Sequence, residues 1–167
     1  QALSEAVAHF RAGEAETGRS GGKLWSVFAT ACDVSEERYL KLIVARLATY
    51  LQIPGYGEAL VNVNGWDMDT LNSFRSAPIV AGMTGAIDSV ASYTELAEIE
   101  KLIPQEWRPA AVGDAKTCAQ RWLDQFNAGA DGIIIHASTP EEFAPVLAEY
   151  ERIRPSALFA QRTNRPG

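Results

Sequence analysis

Hydrophobic and polar positions alternate between two periods along this chain. Residues 3–17 carry Leu3, Val7 and Phe10 at helical spacing, and Gly18 with the Gly21-Gly22 pair ends that helix. Residues 24–32 (LWSVFATAC) are uncharged, rich in β-branched and aromatic side chains, and bounded by Gly-Gly before and Asp33 after, which predicts a buried strand. Ser35 then caps a long helix to about Leu51, with Glu36 and Glu37 at its positive end and a stripe of Leu40, Ile43, Val44, Leu47 and Leu51. Tyr39, Leu42 and Tyr50 widen that stripe, so more than one face is covered. Pro54, Gly55 and Gly57 break the pattern, and residues 55–65 read as an irregular connection. Residues 67–74 form a short helix capped by Asp67. Residues 86–103 read as two short helices interrupted near Ser92, before a turn-rich link between Pro104 and Pro109.

The last third is the most regular. Asp114 caps a helix whose inward positions are Ala115, Cys118, Ala119, Trp122, Leu123 and Phe126. Gly129 ends it, and Ile133-Ile134-Ile135 is a run suited to a strand buried in a parallel sheet. Thr139-Pro140-Glu141-Glu142 combines an N-cap, a proline at the first helical position and a capping-box glutamate. Phe143, Val146, Leu147, Tyr150 and Ile153 form the stripe of the helix it opens, and Pro155 stops it. Two strands joined through helices pair in parallel. Two strands alone do not make a stable sheet, and the pattern offers no third, so the sequence reads as part of an α/β fold.

Composition narrows the partners. The chain has 167 residues with 15 Lys and Arg against 21 Asp and Glu, a net charge of −6 that favours neither nucleic acid nor anionic lipid. A small-molecule protein fits better. No apolar run approaches the roughly 20 residues that span a bilayer, so no membrane partner is expected. The chain begins Gln1-Ala2-Leu3, which looks like a cut. Cys32 and Cys118 lie in apolar segments far apart in sequence, which points to buried reduced thiols, no metal cluster and a cytoplasmic location.

Between residues 113 and 155 the motifs themselves are familiar. Gly113-Asp114 opening a helix, then Ala128-Gly129-Ala130-Asp131-Gly132-Ile133-Ile134-Ile135-His136 and Thr139-Pro140-Glu141-Glu142, resemble the last βα units of the luciferase-like monooxygenase superfamily. Glu14-Ala15-Glu16-Thr17-Gly18-Arg19 is similar to the end of that family's sixth barrel helix. Tyr50-Leu51-Gln52-Ile53-Pro54-Gly55-Tyr56-Gly57 and Asn64-Gly65-Trp66-Asp67 look like its deazaflavin-dependent branch. The resemblance implies the C-terminal part of a (β/α)8 TIM barrel: residues 24–32 as strand seven, 132–136 as strand eight, and a helical insertion between them. Residues 1–155 would then run from barrel helix six to helix eight, followed by a polar tail at 156–167. A complete barrel typically needs about 250 residues, so the first six strands would lie outside this sequence.

It also implies a flavin- or deazaflavin-dependent oxidoreductase acting by hydride transfer or monooxygenation on a small organic substrate, with coenzyme F-420 first and FMN as the alternative. A non-enzymatic α/β interaction module or inactive fragment is the rival reading. The family's Gly-rich phosphate loop has no counterpart here, because Gly21-Gly22 precedes a strand and reads as a turn. Barrel sites gather at the C-terminal ends of strands. His136 stands at such an end, either facing a ligand or tied to backbone beside the Thr139 cap. Tyr50, Tyr56 and Trp66 either wall a flat ring or pack an inserted segment. Arg46 and Arg75 either hold a carboxylate or are solvated and ion-paired, and Asp33 reads as a turn acid. No nucleophilic triad or metal set can be assembled, His9 included, so catalytic residues stay unassigned. Unpaired strand edges predict a homo-oligomer, or association with a missing N-terminal part.

Overall fold

Trp25–Cys32 forms β1, the central strand of a three-stranded parallel sheet of order β2-β1-β3. The computed structural model describes residues 2–108 and 110–159. The fold is mixed α/β. On one side β1 pairs with β3 (Gly132–His136) over its first five residues, Trp25 opposite Gly132 through Ala29 opposite His136. On the other it pairs with β2 (Ala111–Gly113) at Thr30, Ala31 and Cys32. This third strand corrects the two-stranded expectation and lies just beyond the turn-rich link expected between Pro104 and Pro109. Three residues are too few to show a period, and β2 takes its conformation from the ladder with β1.

The period of two along β1 separates the sheet faces. Phe28 and Cys32, with Ile133 and Ile135 of β3, pack on α9 (Ala115–Asn127) and α10 (Pro140–Ile153). The termini of both helices are made as the sequence predicts: Asp114 accepts from the Thr117 amide, and Thr139 and Glu142 form a reciprocal capping box. Ser35 likewise caps α2 (Glu36–Tyr39), which continues through a π turn at Leu40–Val44 into α3 (Ala45–Gln52). The rod has the predicted extent, but periodicity does not reveal one wide turn inside it. Its Leu42 and Ile43 pack against Ala29 and Ala31 on the second sheet face.

A separate apolar core lies in the helical excursion between β1 and β2, around Leu40, Leu51, Val61, Leu71, Phe74, Leu96 and Trp107. Its helices are α4 (Tyr56–Asn64), α5 (Met68–Ser76), α6 (Pro78–Ala81), α7 (Ile87–Val90) and α8 (Tyr93–Glu100). Asp67 caps α5 as the sequence predicts, and Ser92, at the expected interruption between two short helices, caps α8. Helix α4 overturns the irregular connection expected at 55–65. Gly55 takes a positive φ of 80° at the N-cap, and Glu58 reaches back to its amide at 2.7 Å. A side chain on Gly57 would meet the Leu51 carbonyl at 2.7 Å, so glycine here permits a close helix approach rather than breaking the chain.

Helix α1 (Ala2–Glu16) has no fully buried residue, and Leu3, Val7 and Phe10, at the expected helical spacing, are partly buried. It is joined to the sheet by polar contacts. Arg11 donates to Asp131 at 2.7 Å and to the Gly22 carbonyl at 2.9 Å, and Asp131 also accepts from the Leu24 amide. At the other end, α11 (Ser156–Phe159) adds a helical turn where a polar tail is expected, and the remainder of that tail lies outside the described residues. No helix among the described residues is long and apolar enough to cross a membrane.

Candidate functional site

The second sheet face, the π turn and the helical excursion enclose a cleft of about 580 Å³. Val27 and Ala29 of β1 and Ile134 and His136 of β3 form its floor. One wall comes from Leu42, Ile43, Arg46, Leu47 and Tyr50 along the rod, and another from Tyr56, Leu60 and Asn64 of α4 with Trp66 beyond it. All five residues singled out from the sequence, His136, Tyr50, Tyr56, Trp66 and Arg46, line this one cleft.

Helix packing explains the aromatic wall. Tyr50 and Tyr56 stack across the α3–α4 turn with ring centroids 4.9 Å apart, and the Arg46 guanidinium carbon lies 5.0 Å from the Tyr50 centroid. Trp66 stacks nearly parallel on buried Trp107 at 4.7 Å. One face of Trp66 therefore belongs to the helical core while the residue also borders the cleft.

His136 ends β3, and Ala137 follows at φ 65°, an unusual conformation for a residue with a Cβ. Asp33 holds the equivalent position after β1 at φ 47°. Both strands thus turn sharply at the C-terminal edge of the sheet. The bends are fixed by neighbours: Arg38 donates to the Ala137 carbonyl at 2.9 Å, and the Asp33 amide donates to the Gly113 carbonyl at 3.0 Å. The Asp33 side chain is exposed, as a turn residue's would be. The His136 imidazole makes no hydrogen bond to the Thr139 cap or to any other described residue. Burial first, and then the positive charge of Arg46, lowers its pKa below the usual 6.5, so it is neutral at pH 7.

The cleft also holds Arg108, which the sequence reading passed over. It donates to Glu100, to the Tyr39 hydroxyl at 2.8 Å and to the Ile103 carbonyl at 3.2 Å, while its Nε is buried without a partner. An arginine following a core tryptophan in a non-periodic segment was the only signal for it. Arg75, by contrast, lies outside the cleft. It pairs with Glu58 and donates to the Leu51 and Ile53 carbonyls at 2.8 Å, fastening the end of α3 to α4 and α5. The Gly22 amide is likewise committed, to Glu14 at 2.7 Å, which makes Gly21-Gly22 a turn rather than an anion cradle.

Two further clusters bear on chemistry. Cys32 and Cys118 are both buried in the sheet–helix core, and burial pushes the Cys118 thiol up to about 12. Among the described residues no three His, Cys, Asp or Glu side chains gather as metal ligands. Comparison with known proteins gives no match to any family model, curated protein or solved structure.

Proposed function

We propose that this chain contributes the ligand cleft of a flavin- or deazaflavin-dependent oxidoreductase of the luciferase-like type. The observation that carries the reading is the convergence of His136, Tyr50, Tyr56, Trp66 and Arg46, from the rod, α4, the loop after it and β3, on one cleft beside the C-terminal edge of a parallel sheet. The donor set suits a flat, anionic heterocycle: aromatic and aliphatic walls, one neutral imidazole and two arginines, Arg46 and the Glu100-paired Arg108. A bound deazaflavin or flavin supplies the hydride chemistry itself. The residues of this chain hold the ring and keep water from it. Tyr50, Tyr56 and Trp66 offer apolar faces, while His136 and Arg46 offer N–H groups to its polar edge or to a substrate beside it.

The same reading takes the sheet as the last part of a (β/α)8 barrel. What supports it is a parallel sheet with α9 and α10 on one face and, on the other, Val27, Ala29, Ile134 and His136 turned to the cleft, although the rod also packs on that second face at Ala29 and Ala31. It must accommodate β2, which occupies the edge of β1 at residues 30–32 where strand six would otherwise pair. Fluorescence titration with coenzyme F-420 and with FMN tests the function. Saturable binding of either, weakened by Trp66→Ala or Tyr56→Ala, is expected; absence of binding by both refutes it.

A second reading has its own observation. Val27 and Ile134 are 62% and 48% exposed and stand opposite one another on the sheet face that floors the cleft, next to the outer edge of β3. Contiguous apolar surface of this kind marks association. We propose that the face packs against further polypeptide, either a second copy or the strands that would complete the barrel. Sedimentation should show species heavier than a monomer that Val27→Lys and Ile134→Lys dissociate; a clean monomer of the unaltered chain would sink the second-copy version.

A further inference from the structure

From the charge around the cleft we infer that Arg46 and His136 form an anion-recognising end, so that its ligand is a flat molecule carrying a carboxylate, phosphate or sulfonate. The inference deepens the reading above and rests on the same cleft. In a chain of net charge −6, no carboxylate among the described residues lines this cleft, whereas two arginines and a histidine do. The arginines differ in their pairing. Among the described residues five are partly buried, and four of these are matched: Arg11 to Asp131, Arg38 to Glu142, Arg75 to Glu58 and Arg108 to Glu100. Arg46 has no carboxylate partner among the described residues and rests on the Tyr50 ring instead.

A partly desolvated guanidinium without a counter-ion is costly, and a cation–π contact offsets only part of that cost. An anion seated between Arg46 and His136 would supply the rest through charge-assisted hydrogen bonds. The Tyr50–Tyr56 stack lies beside this end, so one ligand can put a ring against the tyrosines and its acid against Arg46. His136 is neutral at pH 7, and an anion beside it would favour the protonated form, coupling binding to proton uptake. The other charged or titratable groups around this end are Arg46 and Tyr50 from the rod, Tyr56 from α4, Arg108 with its partner Glu100, and the Arg38–Glu142 pair behind Ala137.

Matched probe pairs test this on the full chain. FMN and riboflavin share one ring system and differ by a phosphate; 8-anilinonaphthalene-1-sulfonate and N-phenyl-1-naphthylamine differ by a sulfonate. In each pair the anionic member should bind about tenfold tighter or more at low salt, the range expected of a charge-assisted bond. Arg46→Met should erase the ratio by weakening the anionic member of each pair more than the neutral one, and Arg46→Lys should retain part of it. The sulfonate does not titrate near neutrality, so its advantage should grow from pH 8 to pH 6 in the unaltered chain and stay flat in His136→Gln. If neither flavin binds while the sulfonate keeps an Arg46-dependent advantage, the flavin reading fails and the anion site stands. Ratios near one in both pairs, ratios that survive Arg46→Met, or binding of none of the four probes would overturn the anion site.

Discussion

Cutting the clamp between Arg38 and Glu142 should destabilise the protein and loosen the edge of the sheet that carries His136. Glu142 accepts two bonds from Arg38, at 2.6 and 2.9 Å, and one from the Thr139 amide at 2.8 Å, while Arg38 also holds the Ala137 carbonyl. Arg38 first, and the Thr139 amide second, hold the Glu142 carboxyl at about 2 rather than the ordinary 4.5. At full strength that difference corresponds to about 3 kcal/mol. The side chains are 37% and 24% exposed, so solvent screening reduces the expected coupling to about 1–1.5 kcal/mol. A double-mutant cycle of Arg38→Met and Glu142→Gln, read by urea unfolding at pH 7, measures it. The folded-state pKa is depressed, so the contribution is complete above about pH 4.5 and is lost as pH falls towards 2; at pH 3 more than half should be gone. Either single variant should also shift the His136 imidazole proton resonances, because Ala137 links the clamp to the cleft. A coupling under about 0.3 kcal/mol, or one unchanged between pH 7 and pH 3, would refute the reasoning.

The Trp122 indole donates to the Thr30 hydroxyl at 2.9 Å inside the core. Thr30→Val should cost about 1–3 kcal/mol by stranding the indole N–H, and pairing it with Trp122→Phe should cost less than the sum of the single changes in urea titrations. Ala137→Gly should fall within about 0.5 kcal/mol of the parent, since relief of the positive φ roughly cancels glycine's extra freedom in the unfolded chain. Ala137→Val should lose about 2 kcal/mol, and equal midpoints for the two variants would disprove a left-handed Ala137. Ellman's reagent at pH 8 should find neither thiol in the native protein and both in urea, because Cys32 and Cys118 are buried and Cys118 titrates at about 12; rapid native labelling would contradict that burial.

What could be read from the sequence follows from the range of the forces involved. Helix starts are local: Ser35, Asp67, Ser92, Asp114 and Thr139 each meet an amide within three residues, so the cap is visible in the string itself. Helix α4 was not legible because its N-terminus depends on Gly55 at positive φ and its position on Arg75, some twenty residues away. Strand β2 was missed for the same kind of reason. Residues 111–113 are extended only because Thr30, Ala31 and Cys32 offer a ladder from the far side of the excursion.

His136 is legible through a rule about sheets rather than through periodicity. Parallel strands deliver their loops to one edge, so a histidine ending a strand and aromatics following a helix are candidates to meet before any distance is known. That argument singles out His136, while Tyr50, Tyr56 and Trp66 stand out for their flat rings and Arg46 for its charge, and none of these arguments says anything about counter-ions. The division among the arginines depends on partners from 3 to 120 positions away, Glu14 for Arg11 at one extreme and Asp131 for the same side chain at the other. Arg75 and Arg46 look alike in sequence, each an arginine on an amphipathic helix. Folding gives Arg75 the Glu58 carboxylate and two carbonyls, and gives Arg46 a tyrosine face and an open cleft. The chemistry of this site therefore lies in which charge the fold leaves unmatched, a property of the whole set of pairings that no window of sequence contains.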